Sequence, residues 1–228
     1  MATTMTAYRD RTVGEIAAHV AGATALFRKH KIDFCCGGEM LLAEAADRRG
    51  LDVADLERAL GALGSAPADA PEETAALVAH ILQRFHETHR RELPELVKLA
   101  RRVEAVHRDH PEAPQGLAEL LGGAADDLDA HMAKEEQILF PAMQAGYRGS
   151  LDMPIRVMRR EHDAHAEIIH ALEELTHGFV APPDACSSWR ALYAGAEKLV
   201  TDLTEHIHLE NNVLFPRFER RWSVTARD

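Results

Sequence analysis

His131-Met132-Ala133-Lys134-Glu135, running on to Leu139-Phe140-Pro141, returns as His206-Ile207-His208-Leu209-Glu210, running on to Leu214-Phe215-Pro216. Both stretches read H-x3-E-x3-L-F-P at an offset of 75 residues. Upstream, His86-Glu87-Thr88-His89 and His162-Asp163-Ala164-His165 share the pattern H-acid-x-H, 76 residues apart. The second half of the chain therefore reads as a diverged copy of the first. Residues four apart lie on one face of a helix with side chains about 5 to 6 Å apart, so each copy presents one imidazole and one carboxylate together. A duplicated two-helix unit of this kind is how a bundle assembles a two-metal site.

Working outward, the repeats fall in four long helical stretches, at about residues 72–108, 115–146, 154–177 and 184–220, with breaks at His110-Pro111, Tyr147-Arg148-Gly149-Ser150 and Ala181-Pro182-Pro183. Nothing alternates as a strand would. Pro94 falls inside the first long helix and is expected to kink it. Four amphipathic helices with short connections predict an all-α, up-down four-helix bundle. Its seam follows a heptad-like spacing: Leu82, His86, His89 and Leu93; Leu120, Ala124, Leu128, His131, Glu135 and Ile138; Ile155, Met158, His162, His165, Ile169 and Leu172; Leu192, Leu199, Leu203, His206, Glu210 and Val213. The imidazoles and carboxylates are predicted to point inward. His208, about 200° round the helix from His206, is predicted to be exposed.

Inward polar groups need compensation. A buried polar group without a partner costs roughly 2 to 7 kcal/mol, and an unpaired carboxylate more, against a net stability of about 5 to 15 kcal/mol for a whole domain. Two cations bridged by the two glutamates, with an imidazole from each of the four helices, would remove the penalty. Spacing alone leaves the choice between His86 and His89, and between His162 and His165, open. Imidazole and carboxylate without thiolate suit iron, manganese or zinc. A site with a free coordination position favours iron over closed tetrahedral zinc, and such a position on a redox metal implies a small diatomic ligand.

Ahead of the bundle, Thr12 and Glu15 form a capping box that opens a helix running to about Lys31. It stops at Asp33-Phe34-Cys35-Cys36-Gly37-Gly38; a second helix runs to Gly50, and a third starts at Asp52, a good N-cap. Residues 1–64 are thus predicted to be a small three-helix module, joined through a Pro- and Ala-rich linker, residues 65–71, to the bundle at residues 72–228. Cys35 and Cys36 sit between a helix end and a turn before the next helix, where a helix N-terminus would favour a reactive thiolate. They are read as a redox-active or metal-transferring pair. Cys186, in the first turn of the last helix, is read as a bystander.

A formal net charge of −11 without a basic stripe argues against nucleic acid or an anionic membrane as partner, and a hydrophobic fraction of 46% suffices for a sizeable core. Met1 to Thr12 has no signal-peptide core, no apolar run is long enough for a membrane span, and three cysteines make no disulfide framework. The expected location is cytoplasmic. A homodimer is compatible with the sequence.

The Cys-Cys-Gly-Gly turn, Phe85-His86-Glu87-Thr88-His89-Arg90, the stretch His131 to Pro141, Glu161-His162-Asp163 and the stretch His206 to Pro216 occur in that order. Together they resemble the iron-sulfur cluster repair di-iron (RIC) proteins, from Tyr8 to Phe218. The resemblance implies a hemerythrin-like bundle whose two non-haem iron ions, carboxylate-bridged and oxo- or hydroxo-bridged, are held by His86, His131, Glu135, His162, His206 and Glu210. It implies a cavity acid at Glu161, and it aligns Asp127 with a position where the family often has a second acid, Glu. It further implies repair of iron-sulfur proteins damaged by nitric oxide or oxidants, with Cys35 and Cys36 handling iron or nitrosyl groups. Two other functions fit the same residues: a hemerythrin-like sensor or carrier of oxygen or nitric oxide, to which His89 or His165 would add a fifth imidazole, and an oxidoreductase that reduces nitric oxide.

Overall fold

The structure is a computed structural model that describes residues 7–63, 70–146 and 149–219. Most of the predicted linker and part of the Tyr147–Ser150 turn lie outside these residues. Among the described residues the chain is helical, with one isolated bridge between Thr12 and Leu41.

The N-terminal segment holds α1 (Val13–His19), α2 (Ala23–Lys29), α3 (Leu42–Arg48) and α4 (Val53–Leu63). Thr12 accepts from the Glu15 amide, as the capping box requires, and Asp52 accepts from the Ala54 amide at the start of α4. The single helix expected from Thr12 to Lys31 is two helices. Gly22 adopts φ +83°, a left-handed conformation that an α-helix cannot continue through, and it caps α2. Val13, Ile16, Phe27, Phe34, Leu42, Leu56 and Leu60 close a separate apolar core.

The bundle consists of α5 (Thr74–Ile81) and α6 (Glu87–Val106), α7 (Leu117–Lys134) and α8 (Phe140–Gln144), α9 (Asp152–Leu175), and α10 (Ser187–His208). Helix α6 runs unbroken through Pro94. Single π turns at Leu82–His86, Glu135–Leu139 and Leu209–Leu214 join α5 to α6, join α7 to α8, and extend α10. Each π turn holds one extra residue, a feature common at functional sites. Contacts run α6 to α7, α7 to α9, α9 to α10 and α10 back to α6, closing an up-down ring.

Two apolar layers fill the ring. One gathers Ile81, Leu139, Phe140, Ile155, Met158, Leu214 and Phe215; the other gathers Leu93, Leu128, Met132, Ile169, Leu203 and Ile207, extending to Trp189. On all four sides of the ring the histidines and glutamates of the repeats lie between these layers, so the chain folds with a polar stratum sealed above and below by hydrocarbon.

The predicted seam holds fully only in α9, where all six positions are buried. Elsewhere it slips by one residue, once at the start of α7, where Leu121 is buried in place of Leu120, and then across each π turn: Ile138 is 65% exposed and Leu139 is buried in its place, Leu214 replaces Val213, and Ile81 replaces Leu82. Heptad spacing assumes a constant number of residues per turn, and a π turn breaks that assumption.

Candidate metal centre

His86, His131, Glu135, His162, His206 and Glu210 meet in the polar stratum, none more than 1% exposed. Their ligand atoms form two sets, His86–Glu135–His206–Glu210 and His131–Glu135–His162–Glu210, within each of which all atoms lie inside 4.8 Å of one another. The two glutamates belong to both sets and span them with different oxygens. Glu135 Oε2 lies 3.4 Å from His86 Nε2 and Oε1 3.3 Å from His131 Nε2, while Glu210 Oε1 lies 3.1 Å from His206 Nε2 and Oε2 3.0 Å from His162 Nε2. The imidazoles face each other in pairs, His86 Nε2 against His206 Nε2 and His131 Nε2 against His162 Nε2, each at 3.1 Å.

For three of the four imidazoles the outer ring nitrogen explains the inner one, while His206 Nδ1 is buried without a partner among the described residues. His86 Nδ1 donates to Glu136 Oε1 and His131 Nδ1 to Glu161 Oε2, both at 2.8 Å, and His162 Nδ1 donates to Asn211 Oδ1 at 2.9 Å. A carboxylate can only accept, so the proton sits on Nδ1 and the Nε2 lone pair is aimed at the centre. Both oxygens of Glu135 and Oε2 of Glu210 find no hydrogen-bond donor among the described residues. Converging lone pairs and carboxylates without protons are a poor core unless cations sit among them. The donor set therefore fits metal, and of a hard-to-borderline kind such as iron.

The electrostatics agree. Burial alone would protonate Glu210, yet the neighbouring His206 and His162 hold its carboxyl well below the ordinary glutamate value. Burial pushes His131 down but Glu135 lifts it to about 9, so at neutral pH its Nε2 holds a proton that a bound cation would have to displace.

Phe140 and Phe215, of the repeated L-F-P trailers, stack on His86 and His162 at ring-centroid distances of 5.8 and 5.9 Å. The trailers thus lay an aromatic cover over one imidazole of each set. His89 and His165 are buried one turn beyond His86 and His162 and join neither set. Burial pushes them down to about 2 and about 3, so both are neutral. Glu161 sits at the outer nitrogen of His131, where Lys134 also holds it at 2.6 Å, and Asp127 is exposed.

Cys35 and Cys36 come close to this centre. The Cys36 thiol donates to the His162 carbonyl at 3.6 Å, and the two sulfurs lie 3.8 Å apart. The amides of both cysteines donate to Asp33 Oδ1, as does the Cys35 thiol at 3.4 Å. No helix dipole favours the thiolate, because α3 begins only at Leu42. Its hydrogen bond to Cys36, burial and the Asp33 carboxylate instead push the Cys35 thiol well above the ordinary value, which overturns the expectation of a lowered pKa. Cys186 lies far from the centre, 3.1 Å from His107 Nε2.

His208 is not exposed as expected but 2% accessible, because Phe34 of the N-terminal segment packs edge-on at 5.3 Å; within the helix, Asn212 Nδ2 of the following π turn lies 3.0 Å from its Nδ1. The same π turn supplies the residues that sequence reasoning passed over. Asn211 Nδ2 donates to the Cys35 carbonyl at 3.0 Å, and Asn212 Nδ2 to the Phe34 carbonyl at 2.9 Å. The signal was available, since Glu136 and Asn211 are equivalent at the 75-residue offset.

A four-helix bundle with a sealed layer of imidazole and carboxylate is an architecture of non-haem metal proteins. Residues 77–218 match the family described as Hemerythrin HHE cation binding domain, and residues 9–64 match a domain of unknown function (DUF542). The iron-sulfur cluster repair protein YtfE of Pectobacterium carotovorum is 46% identical over 215 residues, 92% of this chain and 97% of that protein. Its namesakes in Musicola paradisiaca and Escherichia coli are 48% and 45% identical over 214 residues, again 92% of this chain and 96% and 97% of theirs. The chain belongs to the hemerythrin HHE cation-binding family, among its iron-sulfur cluster repair proteins. No helix among the described residues is long and apolar enough to cross a membrane.

Proposed function

We propose that the protein restores iron-sulfur clusters damaged by nitric oxide or oxidants in the cytoplasm. In this reading His86 and His206, His131 and His162 hold two iron ions, with Glu135 and Glu210 shared between them. The observation that carries it is the pair of buried carboxylates, each with one oxygen toward each imidazole pair. When bound, such a pair supplies exchangeable iron and positions for a diatomic. The chain's own residues do the rest. Glu136, Glu161 and Asn211 hold the Nδ1 protons and keep the imidazoles aimed; Phe140 and Phe215 exclude water; Cys35 and Cys36, seated against the His162 carbonyl, are the groups assigned to handling iron or nitrosyl.

Iron quantitation on the purified protein is expected to give two ions per chain, and Glu135→Ala or Glu210→Ala to lose most of both; two irons retained in either variant would refute the shared carboxylates. Iron-loaded protein added to a nitrosylated iron-sulfur enzyme is expected to restore its activity. A carrier reading draws on the free buried nitrogens His89 Nε2 and His165 Nδ1, and reversible diatomic binding without rescue would favour it.

A further inference from the structure

Asn211 and Glu136 do the same job in the two halves of the chain. Each follows a shared glutamate, each lies in a π turn, and each accepts from Nδ1 of the histidine contributed by the partner helix: Glu136 from His86, Asn211 from His162. They differ in one respect. Glu136 is half-buried and its carboxylate is held by Arg90 at 2.6 Å, whereas Asn211 is 4% exposed and faces the N-terminal segment. A carboxylate has no proton to give to a second acceptor, but an amide accepts through oxygen and donates through nitrogen. Asn211 uses both ends, taking the His162 proton and giving its own to the Cys35 carbonyl.

We infer that Asn211 is a positioning residue that makes the seating of the Cys35-Cys36 loop and the aim of the His162 imidazole a single hydrogen-bonded unit. If His162 turns, Asn211 Oδ1 must follow, and a rigid planar amide carries its Nδ2 away from the loop. The Cys36 thiol leans on the backbone carbonyl of the same histidine, so the loop meets His162 at two points. Asn212 supports the loop as well, through the Phe34 carbonyl at 2.9 Å and a longer bond to the Cys35 carbonyl at 3.4 Å, but its other partner is His208 and not His162. An ion held by His162 would therefore stiffen the loop that carries the thiols, and displacing the loop would loosen the imidazole. The consequence is reciprocal, as any coupling between two binding events must be.

The inference builds on the metal reading, and the experiment separates the two. Alkylation of Cys36 by iodoacetamide, followed peptide by peptide in iron-free and iron-loaded full-length protein, is expected to slow on loading by at least about fivefold, the lower end of ordinary coupling between sites. Asn211→Asp keeps the acceptor for His162 and removes the shorter of the two donors to the Cys35 carbonyl, leaving the Asn212 contact, which does not reach His162. It is expected to retain iron and its absorption bands while Cys36 labels at one fast rate with or without metal. Asn211→Leu removes both and should also shift the bands. Asn212→Ala should speed labelling in both forms and leave the bands unmoved. Equal wild-type rates with and without bound iron, or an Asn211→Asp protein that still responds to iron, would overturn the inference, and the wild-type comparison needs no variant to fold. Wild-type protein that takes up no iron would overturn the metal reading and this one with it.

Discussion

Glu135 and Glu210 serve two imidazole pairs with one carboxylate each, and the residues that follow them, Glu136 and Asn211, fix how the imidazoles turn. Such second partners are invisible to a search for ligand spacing, because their own spacing carries no metal signature; they emerge only when the two halves are laid side by side. Gly38 shows the same limit. The paired glycines read as a turn requirement, but Gly38 needs no left-handed conformation. A Cβ there would lie 2.2 Å from Asn212 Oδ1, so the position is reserved for a side chain of the bundle. Gly38→Ala is expected to cost about 1 to 3 kcal/mol, the usual range for overpacking, read as an earlier urea midpoint at unchanged slope. The same substitution should speed Cys36 alkylation, because it pushes away the amide that holds the loop.

Among the elements, the four bundle helices and their inward faces were legible because amphipathic periodicity is the strongest local signal a chain carries. The π turns were not. Nothing in Leu82–His86, Glu135–Leu139 or Leu209–Leu214 announces an extra residue, since the turn is stabilised by what the helix faces rather than by its own composition, and the seam slips wherever one occurs. The break at Gly22 was legible in principle, as a glycine inside a helical stretch. A second link between elements is Asp202 of α10, whose 5% exposed carboxylate takes Arg84 at 2.6 Å and Lys198 at 2.8 Å. Burial would raise its pKa, but Arg84 and Lys198 prevail and lower it. A carboxyl with a depressed folded value stabilises above the unfolded pKa, about 3.9, and the contribution fades as pH falls below that toward the folded value. Asp202→Asn is expected to cost about 1.5 to 3 kcal/mol at neutral pH, as for hydrogen bonds to charged groups. In denaturation at a series of pH values, the gap between wild type and variant should shrink below pH about 4.

For the whole molecule, the duplication dictates where each set comes from. His86 and Glu135, or His131 and Glu135, are supplied by the first half, and Glu210 with His206 or His162 by the second. A cation in either set therefore ties helices across the midline of the fold. Removing it with a chelator is expected to lower the melting temperature by about 5 to 10 °C, the shift that ligand stabilisation of about 2.7 kcal/mol gives a chain of this size. An unchanged melting point in protein verified to have lost its iron would show that the apolar layers alone hold the halves together.

On the proposed reading the ions would act as rivets through a seam between the two similar halves of the chain. A newly made chain would then have an unfastened join until iron reached it, and unfastened proteins are the ones that cellular proteases remove first. Scarcity of the metal would then thin out the repair machinery itself, matching the amount of protein to the supply of the element it handles, without any dedicated regulator.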